Sequence, residues 1–452
     1  MKNIVAGSRV HVELGGESLI STSGASLLLQ TASVSGLVES LSKELGRWRK
    51  PLAVHDPAKM ILDLAVAVAA GGDCLADVAL LRAQPEIFGQ VASDPTFSRM
   101  LDDLTTDTDA TIVAIRAARA SARAEVWSHR TPLADQSQVI IDLDATLIGA
   151  HSEKELASPN YKRGFGFHPM MAFVDHGLGG TGEPLAAMLR TGRAGANDAA
   201  DQIVVLDAAL AQLPERDRPH VLVRGDSGSG VQAFVHHIHN LRLQYSVGIS
   251  GRQPILDALA AVPQQAWKRA LDADGLPREG ARVAELTRWL PATFVGWPDG
   301  MRVIARKERP HPGAQLRITD DNGWRITVFA TNTTGGRLTD LEVRHRLRAR
   351  CEDRIRNLKD TGATNLPLQS FAKNQIWLEI SQLAAELIAW TQTLAFHNTP
   401  ARVWEPKRLR LRLFAVAGRI ITTGRRKILR LSKRWPWADL IIAGHSRLAL
   451  IT

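Results

Sequence analysis

A chain of 452 residues is too long for one ordinary hydrophobic core, so two or three structural units are expected. The formal charge of +10 and pI near 9.9 favour a polyanionic partner, nucleic acid first and an anionic membrane surface second. Only two cysteines occur, Cys74 and Cys351, far apart; they exclude a disulfide framework and a cysteine-rich zinc site. The polar start after Met1-Lys2-Asn3-Ile4-Val5 lacks the apolar core of a secretory signal, and a cytoplasmic setting is expected. The apolar runs at 61–70 and 383–394 are too short or too interrupted to span a bilayer and read as core helices.

Residues 17 to about 130 read as a series of short helices, with apolar residues at three-to-four spacing around Leu27, Ile61 and Leu75. Asp94-Pro95 has the form of an N-cap followed by proline at the first helical position. Such an array suits a helix-turn-helix reader of DNA and suits plain helical packing equally well.

The pattern changes at Ser137. The β-branched run from Val139 to Ile148 predicts a strand, and 166–175 and 183–189 predict two more. A helix over 197–213, a strand over 220–225, a helix over 230–241 and a strand over 243–249 complete an α/β unit. From about 251 to 335 the pieces 292–297, 301–305 and 324–330 predict strands of an inserted β-rich subdomain. Helical character returns at Leu338 and again in the long apolar stretch 374–393. Between Arg402 and Arg434 twelve basic residues face one acid, Glu405, interleaved with apolar residues, which predicts an ordered phosphate-contacting helix.

The stretch 345–359 concentrates the chemistry. At about 100° per residue, His345, Arg348, Glu352 and Lys359 fall within a wedge of roughly 60°, placing one carboxylate among basic groups on one helical face. Asp142 and Asp144, two apart on the first strand, share a face; a divalent cation would offset the cost of two carboxylates in so apolar a strand, as would solvation at the sheet margin. Asp226 follows the strand at 220–225, at the carboxyl end where open α/β sheets place their sites, with Ser227-Gly228-Ser229-Gly230 supplying backbone freedom. Hard oxygen ligands without a Cys/His cluster select Mg²⁺ or Mn²⁺, and two such ions can drive in-line displacement at a phosphodiester.

Three superficial matches fail. Gly225-Asp226-Ser227-Gly228 is similar to a trypsin-like nucleophile motif, but the alternating helices contradict a double β-barrel. Arg224-Gly225-Asp226 matches an adhesion tripeptide, which requires export. His345-x-x-Arg348 matches the basic box of tyrosine recombinases, yet the only tyrosines, Tyr161 and Tyr245, lie upstream.

The three carboxylates together resemble the DDE transposases of bacterial insertion sequences. One branch carries Tyr-x-x-Arg-x-x-x-Glu-x-x-x-x-x-x-Lys, with Arg348, Glu352 and Lys359 in register and His345 in place of the tyrosine. Asp142-Leu-Asp-Ala-Thr146, Arg224-Gly-Asp-Ser-Gly228, Ala330-Thr-Asn332 and a basic C-terminal stretch ending in Trp435-Pro-Trp437 resemble insertion-sequence family 1380.

The resemblance implies an RNase H-like core with Asp144, Asp226 and Glu352 as catalytic metal ligands for two Mg²⁺ or Mn²⁺, Asp142 as a supporting acid, and Arg348, Lys359 and His345 on DNA phosphates. It implies a helical DNA-binding region (1–130), a core in two parts (131–250 and 336–400), a β-rich insertion between them (251–335) and a basic helical C-terminal region (401–452). In related transposases an aromatic of the insertion stacks on a flipped base, and Trp297 or Trp324 could serve. The expected activity is cut-and-paste transposition on double-stranded DNA, terminal inverted repeats and target alike, by a nucleoid-associated homodimer with no membrane partner. A nuclease without strand transfer and a domesticated DNA-binding protein are the alternatives.

Overall fold

The computed structural model describes residues 18–129, 138–151, 153–250, 253–291, 294–310 and 323–451. Five principal helices come first: α1 (Ser26–Val34), α2 (Leu37–Glu44), α3 (Pro57–Ala69), α4 (Asp94–Leu104) and α5 (Thr108–Ser128). Asp56 caps α3 by accepting from the Ala58 amide at 2.8 Å, with Pro57 at the first helical position. At α4 the expected cap is displaced by one residue: Ser93 precedes the helix, and Asp94 pairs with Arg82 at 2.5 Å.

The α/β unit follows in the expected order: β1 (Val139–Ala145), β2 (Met170–Asp175), β3 (Glu183–Met188), α6 (Ala199–Ala211), β4 (Val221–Gly225), α7 (Gln232–Asn240) and β5 (Gln244–Ile249). β2 pairs antiparallel with β1 and β3, whereas β4 runs parallel to β1 and β5 parallel to β4. The spatial order β3-β2-β1-β4-β5, with only β2 reversed, is the RNase H-like arrangement.

The following β-rich stretch is continuous with this sheet. Strands β6 (Lys268–Leu271), β7 (Pro277–Glu285), β8 (Arg302–Glu308) and β9 (Arg325–Thr331) form an antiparallel meander, and β9 pairs with β5, giving nine strands in one sheet. Of the strand expected at 292–297, Ala292 and Thr293 lie outside the described residues, and Phe294–Trp297 forms a turn. The chain returns through α8 (Leu338–Arg346), α9 (Arg350–Leu358) and the 24-residue α10 (Phe371–Leu394), which is buried almost throughout.

Apolar residues of α1–α5 belong to the same buried cluster as the sheet and α10. The junction also contains charge. Arg116, Arg119 and Arg123 of α5 meet Glu379 and Glu386 of α10 and Glu183 of β3, with Arg119 held by Glu386 at 2.7 Å and Glu379 at 2.6 Å. A buried carboxylate is tolerated only when paired and hydrogen-bonded. The 3.6-residue repeat places the three arginines on one face of α5, where they supply those partners.

The basic C-terminal stretch meets the helical expectation in its first part, where Pro406–Leu409 and Arg410–Phe414 are consecutive helical turns carrying Lys407, Arg408, Arg410 and Arg412. The rest departs from it: β10 (Gly418–Thr423) and β11 (Arg426–Leu431) form a hairpin, followed by α11 (Ala438–Ala449). β-branched residues are frequent in the first strand, Ile420-Ile421-Thr422-Thr423, and Gly424, at φ 60°, provides the tight turn.

Candidate active site

The parallel register of β1 and β4 builds the site. Asp142 is level with Arg224 and Leu143 with Gly225, so the next residues along the two adjacent strands are Asp144 and Asp226. Parallel neighbours lie roughly 4.8 Å apart. Both acids therefore sit side by side at the carboxyl edge of the sheet, where the connections diverge. Asp226 is fixed by a turn in which its Oδ1 accepts the Gly228 amide at 2.9 Å and its carbonyl accepts the Ser229 amide at 3.0 Å. A Cβ on Gly248 of the adjacent β5 would lie 2.7 Å from the Ser227 nitrogen and 2.8 Å from the Asp226 carbonyl carbon, so glycine is needed for this approach.

The region 345–359 is not one continuous α-helix. A 3₁₀ turn at Leu347–Ala349 separates α8 from α9, and a wider turn at Lys359–Ala363 ends α9. The tighter 3₁₀ winding rotates the residues off the single face that an unbroken helix would give. Arg348, in that turn, reaches back to Asp144, Nη1 to Oδ2 at 3.2 Å. Asp144 and Asp226 both raise the basicity of Arg348 against its burial, so the guanidinium lies in the field of both acids. Burial pushes the Asp144 carboxyl up to about 6, opposed by Arg348 and reinforced by Asp226. Lys359 donates to the carbonyl of Leu147 at 2.8 Å, just beyond the end of β1, and its burial lowers its pKa.

Glu352 is exposed in the first turn of α9, which packs on β1 and β2; its neighbour Cys351 is buried in the field of Asp142 and Asp144. Among the described residues only Asp73, Cys74 and Asp77 bring three ligand atoms within 4.8 Å of one another, so Asp144, Asp226 and Glu352 are not drawn into a cage that tight. Their chemistry nevertheless fits a hard divalent cation: Asp144 is a largely buried carboxylate whose one ion-pair partner among the described residues is Arg348, leaving its charge under-compensated.

Two of the expected residues, His345 and Asp142, are engaged in buried contacts. His345 is buried, its ring stacked on Phe329 with centroids 4.2 Å apart and planes 6° apart, and its Nδ1 lies 3.0 Å from Ser246 Oγ. Burial, then the nearby Arg348 and Arg224, push its pKa down to about 3. Its imidazole is thus a buried, neutral group packed against the sheet.

Asp142 shares the face of Asp144, but both its oxygens are taken by the fork of Arg224, at 2.7 and 2.8 Å. Arg224 continues to Asp175 at 2.8 Å, and Asp175 meets Arg350 and Arg354 of α9. Asp142 is therefore engaged in a buried charge lattice that ties β1 to β4, β2 and α9. In the sequence Arg224 stands out only within a motif, and no role attaches to Arg224, Asp175, Arg350 or Arg354. The available signal was that Asp142 and Arg224 each stand two residues before a site aspartate, on strands whose βα connections make them parallel.

Of the candidate stacking aromatics, Trp297 is half-buried with its face against Phe294, 5.6 Å away and within 9° of parallel; Trp324 is half-buried near Lys307 and Arg309. No helix among the described residues is long and apolar enough to cross a membrane.

Among solved structures, the piggyBac transposase synaptic complex with hairpin DNA is similar at a TM-score of 0.41 and 10% identity, over 87% of this chain and 80% of that one. A comparison with curated protein sequences finds no match. The family described as transposase DDE domain group 1 matches residues 2–452, and the chain, with its RNase H-like sheet and its two aspartates at adjoining strand ends, belongs to that family.

Proposed function

We propose that the protein binds the terminal inverted repeats of its own element, cleaves the DNA by metal-dependent phosphodiester hydrolysis and joins the freed 3′ ends to target DNA. The observation that carries this is the level placement of Asp144 and Asp226 on parallel strands, with Arg348 in the field of both. Asp144, Asp226 and Glu352 are the residues to hold two Mg²⁺ or Mn²⁺ ions, which when bound activate a water or 3′-hydroxyl and stabilise the leaving oxygen.

The chain's own groups do the positioning. Arg348 carries a permanent charge beside the acids and can hold a non-bridging phosphate oxygen as a planar fork. Lys359, tethered to the Leu147 carbonyl, offers its remaining protons to the next phosphate. Synapsis of two ends calls for at least two protomers.

The test uses purified protein, a labelled element-end duplex, a target plasmid and Mg²⁺. Joined products support transposition, and cleavage alone supports a nuclease. Binding with neither, unchanged in Asp226→Asn, would overturn both enzymatic readings.

A further inference from the structure

The hairpin β10–β11 has a two-sided construction. Its pairing sets Arg419 against Arg430, Ile421 against Ile428 and Thr423 against Arg426, and strand alternation puts these six on one face. The opposite face carries Ile420, Leu429 and Leu431, all half-buried, with Lys427 tied to Glu86 at 2.5 Å. The first face is open: Arg419, Arg426 and Arg430 are exposed, and Ile428 retains 40% of its surface.

Like charges directly opposite on antiparallel strands repel, so the Arg419–Arg430 pair is unfavourable without a counter-ion. None of Arg419, Arg426 and Arg430 has an acidic partner among the described residues. Charge on an outer strand also discourages sheet-to-sheet pairing. That role needs no opposed arginines.

The hairpin is firmly rooted. Arg412 lies between the rings of Trp404 and Trp437, 4.8 and 4.7 Å from their centroids, and the Trp435 indole donates to the Arg412 carbonyl at 2.8 Å. β10 pairs on its other edge with Leu19–Ile20. A two-stranded ribbon of six residues per strand, roughly 20 Å long at about 3.4 Å per residue, suits a duplex major groove about 12 Å wide.

We infer that the open face of this hairpin is a contact surface for duplex DNA, with Arg419, Arg426 and Arg430 on backbone phosphates. The inference rests on the transposase reading for its ligand, yet lies outside the catalytic residues.

The test compares full-length wild type with the triple variant Arg419→Gln/Arg426→Gln/Arg430→Gln. Binding to a labelled duplex of arbitrary sequence is measured across a salt series. Each lost phosphate contact removes about 0.9 from the slope of log K against log salt, so the variant's slope should be flatter by about 2 to 3 and its affinity at least roughly tenfold lower. The unfolding midpoint in the absence of DNA should not fall, since removing the opposed charges relieves their repulsion, and the corresponding triple lysine variant should restore the slope.

An unchanged slope overturns the inference, as does loss of binding to anionic phospholipid vesicles with duplex binding intact. Cleavage of element-end DNA by wild type, abolished in Asp226→Asn, is scored separately. Cleavage with an unaffected salt slope sinks the hairpin alone; a hairpin-dependent slope without cleavage sinks the catalytic reading alone.

Discussion

Asp142 and Asp144 differ by two positions on one strand face, and the structure predicts opposite consequences for removing their charges. Asp142→Asn leaves Arg224, Arg350 and Arg354 facing Asp175 alone in a buried lattice. Breaking a buried ion pair from one side costs about 3–5 kcal/mol, because the surviving charges remain desolvated. Asp144→Asn acts on a carboxyl that burial has raised from 3.8 to about 6, an increase on the order of 3 kcal/mol against the ionised form. Because its folded pKa lies above the unfolded value, this group favours the fold below pH 3.8 and loses that contribution as pH rises through about 6. Ionised Asp144 is therefore a net cost at neutral pH, partly offset by Arg348. The asparagine variant should be unchanged or more stable by about 1–3 kcal/mol, an advantage that shrinks as pH falls toward 3.8. Urea unfolding followed by circular dichroism at neutral and mildly acidic pH measures both variants, and end-DNA cleavage is scored alongside. Asp144→Asn should be stable and inactive, and Asp142→Asn unstable. Equal destabilisation by the two substitutions would refute the assignment of one acid to the lattice and the other to the site.

Arg119→Met should cost about 3–5 kcal/mol in chemical denaturation, because Glu379 and Glu386 lose their shared buried partner; a loss below about 1 kcal/mol would mean that the α5–α10 junction is held by apolar packing alone. His345→Phe paired with Ser246→Ala should leave DNA affinity unchanged. Because the folded His345 pKa is depressed to about 3, wild type should lose about 2 kcal/mol as pH falls from 6.5 to about 5, while the double variant escapes that loss. Matching pH–stability profiles would count against a buried neutral imidazole. Gly248→Ala should cost about 1–3 kcal/mol and lower cleavage at least tenfold by pushing β5 against the Asp226 turn; full activity in this variant would show that the turn yields.

Much of the core was readable because its signals are local. The β-branched run at 139–145, the apolar strand at 221–225 and the helices between later strands each carry their own periodicity, and the two site aspartates fall at strand positions that can be counted along the chain. The insertion was readable as β-structure but not as part of the core sheet, because the pairing of Val328 with Ile249 joins strands far apart in sequence. In the basic C-terminal stretch the helical expectation holds over 406–414 and fails over 418–431, where Gly424 supplies the turn of a hairpin that interleaved basic and apolar residues do not announce.

The sequence by itself determined the order of the elements from 139 to 249 and the family to which the chain belongs, since spacing along one chain is enough for each. Tertiary structure alone decided how each charge is compensated. Asp142 is neutralised because β1 and β4 align it with Arg224, and Asp144 is left under-compensated because the next step along the same strands brings Asp226, a like charge. His345 is buried because it lies on α8, ahead of the 3₁₀ turn that carries Arg348, and a facing strand supplies Phe329. In each case the deciding neighbour lies on another element, and the desolvation that sets the cost of a charge exists only once those elements have packed.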